Sequence, residues 1–234
     1  MALPKIQQPL FELKLPVCGK SVKFRPFLVK EEKILLVGKE GGSKQQMTAL
    51  KQLLKSVVES PKNFKPEDLN ICDMEYLFLN LRARSIQNVV ELKYRDKEDE
   101  KIYDFSIDLD ELEPEFSEDH VNTIDLDGNI GIELREPTLG MLEKLDVKAG
   151  EAINNEEVFK LLAGCIVKVY DSEQVYDDFT EKEANEFLQN LDVKMFEKIR
   201  LFYDTLPKIT HTLEYVNELG NNRTIKLQGL SDFF

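Results

Sequence analysis

The sequence predicts an α+β fold built from two pseudo-repeated strand–helices–β-hairpin units. Three observations predict it. Several short segments alternate apolar and polar residues, as half-buried strands do. Others repeat apolar residues at helical spacing. The second half then restates the order of the first at an offset of 108–110 residues.

Phe11–Leu15 and Val22–Phe24 alternate, with Gly19-Lys20 between them, and read as a hairpin. Pro26 ends the second strand, and a short helix is expected over 29–37. After Gly41-Gly42-Ser43 a helix over about 45–59 places Leu50, Leu53, Leu54, Val57 and Val58 on one face. A further helix runs from about Asp73 to Arg84, and its Met74–Leu81 stretch is apolar except at Glu75 and Asn80, so it is expected to be buried nearly all round. Val90, Leu92 and Tyr94, then Tyr103, Phe105, Ile107 and Leu109, mark two strands joined by the charged turn Arg95–Lys101. In the second half Ile130–Leu134 leads into Arg135-Glu136-Pro137 as Val22–Phe24 leads into Arg25-Pro26. A helix over 138–146 follows. The next places Val158, Leu161, Leu162, Cys165 and Ile166 on one face, each 108 residues after its counterpart, while Arg135 lies 110 after Arg25. Thr180 and Glu183 form a capping box for a helix near 181–190. A helix at 193–206 and a hairpin pairing Leu213–Val216 with Thr224–Leu227 close the chain. The expected units are 1–112, basic to neutral, and 113–234, acidic.

The charge is unevenly placed. Residues 1–65 carry thirteen Lys/Arg against five Asp/Glu, and residues 66–234 carry eighteen against thirty-nine; the segments are +8 and −21, and the chain is −13. Such a division suits a protein that meets other macromolecules. Net acidity argues against general nucleic-acid binding, and the basic third lacks the aromatic-studded strand of RNA-recognition modules. Hydrophobic residues at 42% and charged residues at 32% describe a globular, soluble chain. Cys18, Cys72 and Cys165 are odd in number and far apart, which argues for a reducing compartment and against a disulfide or zinc framework. The N-terminal residues show no signal-peptide pattern, and no apolar run is long enough to span a bilayer.

The motifs that carry chemistry fail on inspection. Cys18-Gly19-Lys20-Ser21 has the end of a phosphate loop, but the earlier glycine falls on Lys14 and no helix follows. Asp125, Asp127, Asn129 and Glu136 sit at calcium-loop positions, yet the turn position that needs Gly is Ile130, and Asp127-Gly128 reads as a hairpin turn. His120 lies in an acidic loop and His211 in an expected strand with polar neighbours, and nothing suggests a base held by an orienting acid beside a nucleophile. The expectation is a non-enzyme with no cofactor and no metal.

The block Lys20–Leu36, preceded by Phe11–Pro16, resembles the baseplate-hub proteins of T-even-type contractile-tailed bacteriophages, and Asp73–Leu79 with Leu81–Ser85 is similar to a second signature of that family. Together these cover about residues 9–86. The turn Arg135–Thr138 is similar to one in phage tail-assembly chaperones. The resemblance implies a non-catalytic protein of tail morphogenesis, needed in building the baseplate hub, located in the host cytoplasm during assembly or in the tail baseplate of the virion, and bound to other hub or tape-measure proteins. It also implies, for relatives with cysteine pairs in their hairpins, a zinc ribbon; the turns Arg95–Lys101 and Asn217–Arg223 hold no cysteine, so no metal is carried over.

The basic block supplies the candidate partner-binding residues. Its apolar positions fit a helix start, but Lys23, Arg25, Lys30 and Lys33 gathered within eleven residues, beside Pro26 and Phe27, suggest a face for an acidic partner, or for the acidic second half of the same chain. Phe233 and Phe234 are candidates as a terminal docking peptide. Three readings follow: a hub assembly factor, a permanent hub subunit, and a nucleic-acid-associated regulator.

Overall fold

The computed structural model describes residues 6–40, 43–145 and 155–233. Its elements begin with β1 (Phe11–Lys14), β2 (Ser21–Phe24), α1 (Val29–Glu40), α2 (Ser43–Val57), β3 (Val58–Ser60) and α3 (Ile71–Ser85). Next come β4 (Val89–Arg95), β5 (Ile102–Asp108), β6 (Pro114–Glu115), β7 (Thr123–Asp125) and β8 (Gly131–Leu134). The chain continues through α4 (Leu139–Glu143), α5 (Asn155–Cys165), β9 (Ile166–Tyr170), β10 (Val175–Tyr176), α6 (Glu181–Gln189) and α7 (Val193–Asp204), and ends with β11 (Lys208–Val216) and β12 (Asn222–Gln228). The fold is α+β. The described residues form two compact units, one from Met1–Pro66, Cys72–Glu115 and Lys208–Phe234, the other from Glu67–Ile71 and Phe116–Pro207.

In the first unit β1 and β2 form the expected hairpin, with Phe11 opposite Phe24 and Lys14 opposite Ser21. Gly19 takes φ +67°, which its lack of a Cβ permits, and the Leu15 N–H closes the turn on the Lys20 carbonyl at 2.8 Å. The fully buried Asp73 carboxylate accepts the N–H groups of Val17 (2.9 Å) and Cys18 (3.0 Å), tying the turn to α3. The Gly-Lys-Ser sequence is thus a hairpin end. On α3, Cys72, Met74, Leu77, Phe78, Leu79 and Leu81 are buried, which accounts for its nearly all-round apolar composition. The hairpins β4–β5 and β11–β12 contribute to one core: Val90, Ile107, Leu109, Ile209 and Leu227 are buried together with Cys72 and Leu79, and Leu92, Leu213 and Ile225 pack against them.

That last association differs from the division expected at residue 112. The closing hairpin, assigned by sequence to the second unit, belongs to the first. The physical reason is the inward row of β11 and β12, whose Ile209 and Leu227 have their apolar complement on α3, β4 and β5. Local periodicity specifies such a row but not the surface that covers it.

The second unit holds an antiparallel sheet in the order β10-β9-β8-β7. Its core includes Ile124, Ile132, Leu134, Leu162, Ala163, Ile166, Leu188, Ile199 and Phe202. Thr180 and Glu183 make the capping box that starts α6, and Asp192 caps α7 by accepting the Met195 N–H. Gly131 lies opposite Tyr170, whose ring would sit 2.2–2.3 Å from any Cβ placed there. Between β7 and β8 the loop is longer than a two-residue turn. Asp125 accepts the Gly128 N–H, Asp127 accepts those of Asn129 and Ile130, and Lys198 donates to the carbonyls of Asp125 and Leu126. Groups a calcium loop would turn toward an ion are bonded within the protein.

Two helix boundaries also moved. Val58 and Ile166, expected on helical faces, are the first residues of β3 and β9. In each case the strand starts at the residue after the helix ends, so a β-branched side chain in helical phase also fits the first inward strand position. Of the residues expected in the core, Leu77, Phe78, Leu81, Leu162 and Ile166 are buried and Leu161 is half-buried. Leu162→Ala is therefore expected to lower stability by roughly 2–5 kcal/mol in urea denaturation, and Leu161→Ala by clearly less.

Candidate functional site

The Arg25 turn is the best-connected part of the basic block. Directly after β2, the Arg25 N–H donates to the Val57 carbonyl (3.1 Å), at the C-terminus of α2. Its guanidinium donates to the carbonyls of Ser56 (3.0 Å) and Pro26 (3.0 Å) and forks onto both Glu31 carboxylate oxygens (2.9 and 3.2 Å). Glu59 lies 3.8 Å away. A cation on the last carbonyls of a helix complements both the unpaired acceptors and the dipole.

Glu31 is 2% exposed and lies in the first turn of α1. Burial opposes its charge most strongly. The Arg25 hydrogen bonds, the Leu28 N–H at 2.6 Å and the positive charges of Arg25 and Lys30 outweigh that cost and hold its carboxyl below the usual range. Glu31 is the counter-ion of Arg25.

The other candidate residues divide by exposure. Lys23 stands on β2 and reaches Glu12 at 3.4 Å. Lys30 is 73% exposed and 3.7 Å from Glu31. Lys33 and Val29 are exposed on α1. Pro26 and Phe27 are half-buried, and the Phe27 N–H donates to the Ser85 hydroxyl. Phe233 ends a 3-10 turn over Leu230–Phe233, and Phe234 lies outside the described residues. The structure thus places Lys23 on β2 and Lys30 and Lys33 on α1, while most of the Arg25 guanidinium is occupied by the fold.

The second unit has a similar turn. Arg135, directly after β8, donates its N–H to the Cys165 carbonyl (2.9 Å) and its guanidinium to the Gly164 carbonyl (3.1 Å), at the end of α5. The strands match as well: Lys23 pairs with Ser60 and Phe24 with Val58, while Glu133 pairs with Lys168 and Leu134 with Ile166, and each ladder shifts register between its two pairs.

A further polar cluster was not anticipated. At the ends of β4–β5 and β11–β12, buried Asp96 accepts from the Tyr215 hydroxyl (2.5 Å), Arg223 Nε (3.1 Å) and the Glu98 N–H (2.7 Å). Tyr215 leads the bonds that hold the Asp96 carboxyl below its usual range. Glu98 accepts from the side-chain amides of Asn217 and Asn221, and Asp99 from the Tyr103 hydroxyl and the Glu218 N–H. Burial, then the bond to Asp99, pushes Tyr103 up to about 12. Tyr94, Tyr103 and Phe105 surround the Tyr215 ring. The hairpin ends are joined by carboxylates and aromatic rings, and the clue in sequence was the charged turn Arg95–Lys101.

His120 also has partners invisible in sequence. Its Nδ1 is 3.1 Å from Thr205 Oγ1, its Nε2 is 3.7 Å from Glu136, and its ring stacks on Phe202. Thr205 Oγ1 also bonds the Leu201 and Phe202 carbonyls, at 2.7 and 3.1 Å. Burial raises the thiols of Cys72 to about 12 and Cys165 to about 11, away from the reactive thiolate. Among the described residues no three His, Cys, Asp or Glu are grouped to hold a metal ion, and no helix is long and apolar enough to cross a membrane.

The fold and its contacts define an α+β chain of two compact units. Residues 8–234 match the model of the T4 bacteriophage base plate protein family, and the chain belongs to that family. It is a T4-type phage baseplate protein, and the match extends past the N-terminal signatures through the whole second half. No curated protein and no solved structure matches the chain.

Glu31→Gln leaves a guanidinium that is 15% exposed without its main counter-charge, and is expected to cost roughly 3–5 kcal/mol in denaturant unfolding. Because the folded carboxyl titrates below its unfolded value of about 4.3, the Glu31 contribution is complete above that pH and fades as pH falls through the folded value. The difference between wild type and Glu31→Gln should therefore shrink in acid.

Proposed function

We propose that this baseplate protein is a non-catalytic assembly factor of the hub, working by protein–protein contact in the host cytoplasm. It covers charged or apolar surfaces of hub or tape-measure subunits until they join correctly. The observation that carries the reading is the exposed lysine group on β2 and α1 of a chain with net charge −13. Opposite charge across an interface speeds encounter and rejects wrong partners more than it adds affinity. The occupied Arg25 fork supports a division of labour in which Arg25 holds the turn while Lys23, Lys30 and Lys33 present charge. The buried thiols of Cys72 and Cys165, raised to about 12 and about 11, agree with a role without catalysis.

The alternative is a permanent structural subunit of the hub, which the family membership favours equally. Quantitative mass spectrometry of infected cells and of purified particles separates them: the assembly factor is abundant in cells and absent from finished tails, whereas a subunit is stoichiometric in both. Lys23→Glu/Lys30→Glu/Lys33→Glu tests the face itself. The triple variant should fold with near-normal stability and associate more slowly with the hub proteins recovered by wild type. Unfolding of the variant, or unchanged recovery at low salt, would refute the use of this face.

A further inference from the structure

The second unit contains an apolar pocket of about 300 Å³, walled by Ile130, Ile166, Val169, Phe179, Ala184 and Phe187, between strands β8–β10 and helix α6. This is the lower end of the ~300–1,000 Å³ range of ligand pockets, enough for a bulky side chain. Asp171, Tyr176 and Glu183 complete its lining. We propose that it is a docking site for a basic segment of another protein: one large apolar side chain enters the pocket, and neighbouring Lys or Arg residues meet its acidic rim. This rests on the reading that the protein acts through protein contacts, and it concerns a site far in sequence from the lysine face.

The charge around the pocket selects the occupant. Residues 171–183 contain Asp171, Glu173, Asp177, Asp178, Glu181 and Glu183 and one cation, Lys182, which lies 3.6 Å from Glu186. Asp171 and Glu183 line the pocket itself, Lys168 lies near Asp177, and Glu181 lines a neighbouring hollow with Arg135, Lys144 and Lys160. Two of these acids are fixed as anions. Asp171 accepts the N–H groups of Gln174 and Glu173 and the Tyr176 hydroxyl, and Glu183 accepts the N–H and hydroxyl of Thr180. These bonds, led by the Gln174 and Thr180 N–H groups respectively, hold both carboxyls below the usual range. An acidic peptide or a nucleic-acid phosphate would be repelled. Tyr176, 42% exposed on the outermost strand of the sheet, offers a ring face on which an arginine can stack. Apolar walls inside a negative rim therefore match a partner of one chemistry, cationic outside and apolar at its centre.

The test uses the full chain, labelled with nitrogen-15, and three blocked synthetic peptides: Lys-Arg-Phe-Arg-Lys, Lys-Arg-Ser-Arg-Lys and Glu-Asp-Phe-Asp-Glu. The first should shift the amide signals of Val169, Tyr176, Phe179, Ala184 and Phe187, with a dissociation constant on the order of 1 mM or tighter. The Ser and acidic peptides should bind at least roughly tenfold more weakly. Asp177→Lys/Asp178→Lys changes exposed residues beside the pocket and should weaken the first peptide by a similar factor with the spectrum of a folded protein retained. No shift at these residues, equal binding of the Ser or acidic peptide, or an unaffected double variant would each overturn the proposal. Shifts at the same residues on concentrating the protein alone would assign the pocket to a second copy of this chain and overturn it too. Because this binding is read on the isolated protein, its failure leaves the assembly-factor reading to the particle composition, and the converse holds.

Discussion

The arginine that follows a strand and closes on the end of a helix is the interaction on which the rest of this structure depends. In each unit the chain leaves a central strand, makes two helices, and must return to the same strand's open edge. Arg25 and Arg135 fix that return by giving a backbone N–H and a guanidinium N–H to the last carbonyls of α2 and α5. The next residue in each case starts β3 or β9, so the capped carbonyls and the strand pairing are set together. Without the bonds, the helix C-termini would leave acceptors unpaired beside an apolar core. The first turn carries an extra constraint, because Glu31 must remain charged while buried, and Arg25 is what makes that tolerable.

The two units solve the remaining problem differently. The second fills its interior with the apolar faces of α5, α6 and α7 against its four-stranded sheet, and caps α6 and α7 with side chains supplied by the preceding residues. The first packs α3 with hairpin residues from both β4–β5 and β11–β12, and secures the hairpin ends with the Asp96, Glu98 and Asp99 cluster. That cluster uses charge-assisted hydrogen bonds, which are stronger than neutral ones and directional enough to fix how the ends meet.

Much of this was legible in the sequence because it is local. The β1–β2 and β4–β5 hairpins, the buried face of α3, the capping box at Thr180 and the helical spacing around Leu162 are all set by residues near one another in the chain. What was not legible is pairing at a distance. β3 and β9 are short strands fused to helices, and their apolar residues satisfy helical and strand periodicity at once. The closing hairpin carried no mark of which core it would join. In the candidate site, the lysines were recognisable as a basic face, but the burial of Glu31 and its claim on Arg25 required the α1–α2 geometry. Similarly, the partners of the acids at 96–99 were hidden because Tyr215, Asn217, Asn221 and Arg223 lie more than a hundred residues away.

The discontinuous first unit has a consequence for biosynthesis. A ribosome releases residues 116–207 before β11 and β12, so the inner segment can collapse while the opening segment still lacks two strands of its core. The residues made first must hold Leu79, Val90 and Ile107 available until the last strands arrive. Long-range closure of this kind slows folding, and it makes the nascent opening segment the part of the molecule most in need of shielding from other chains.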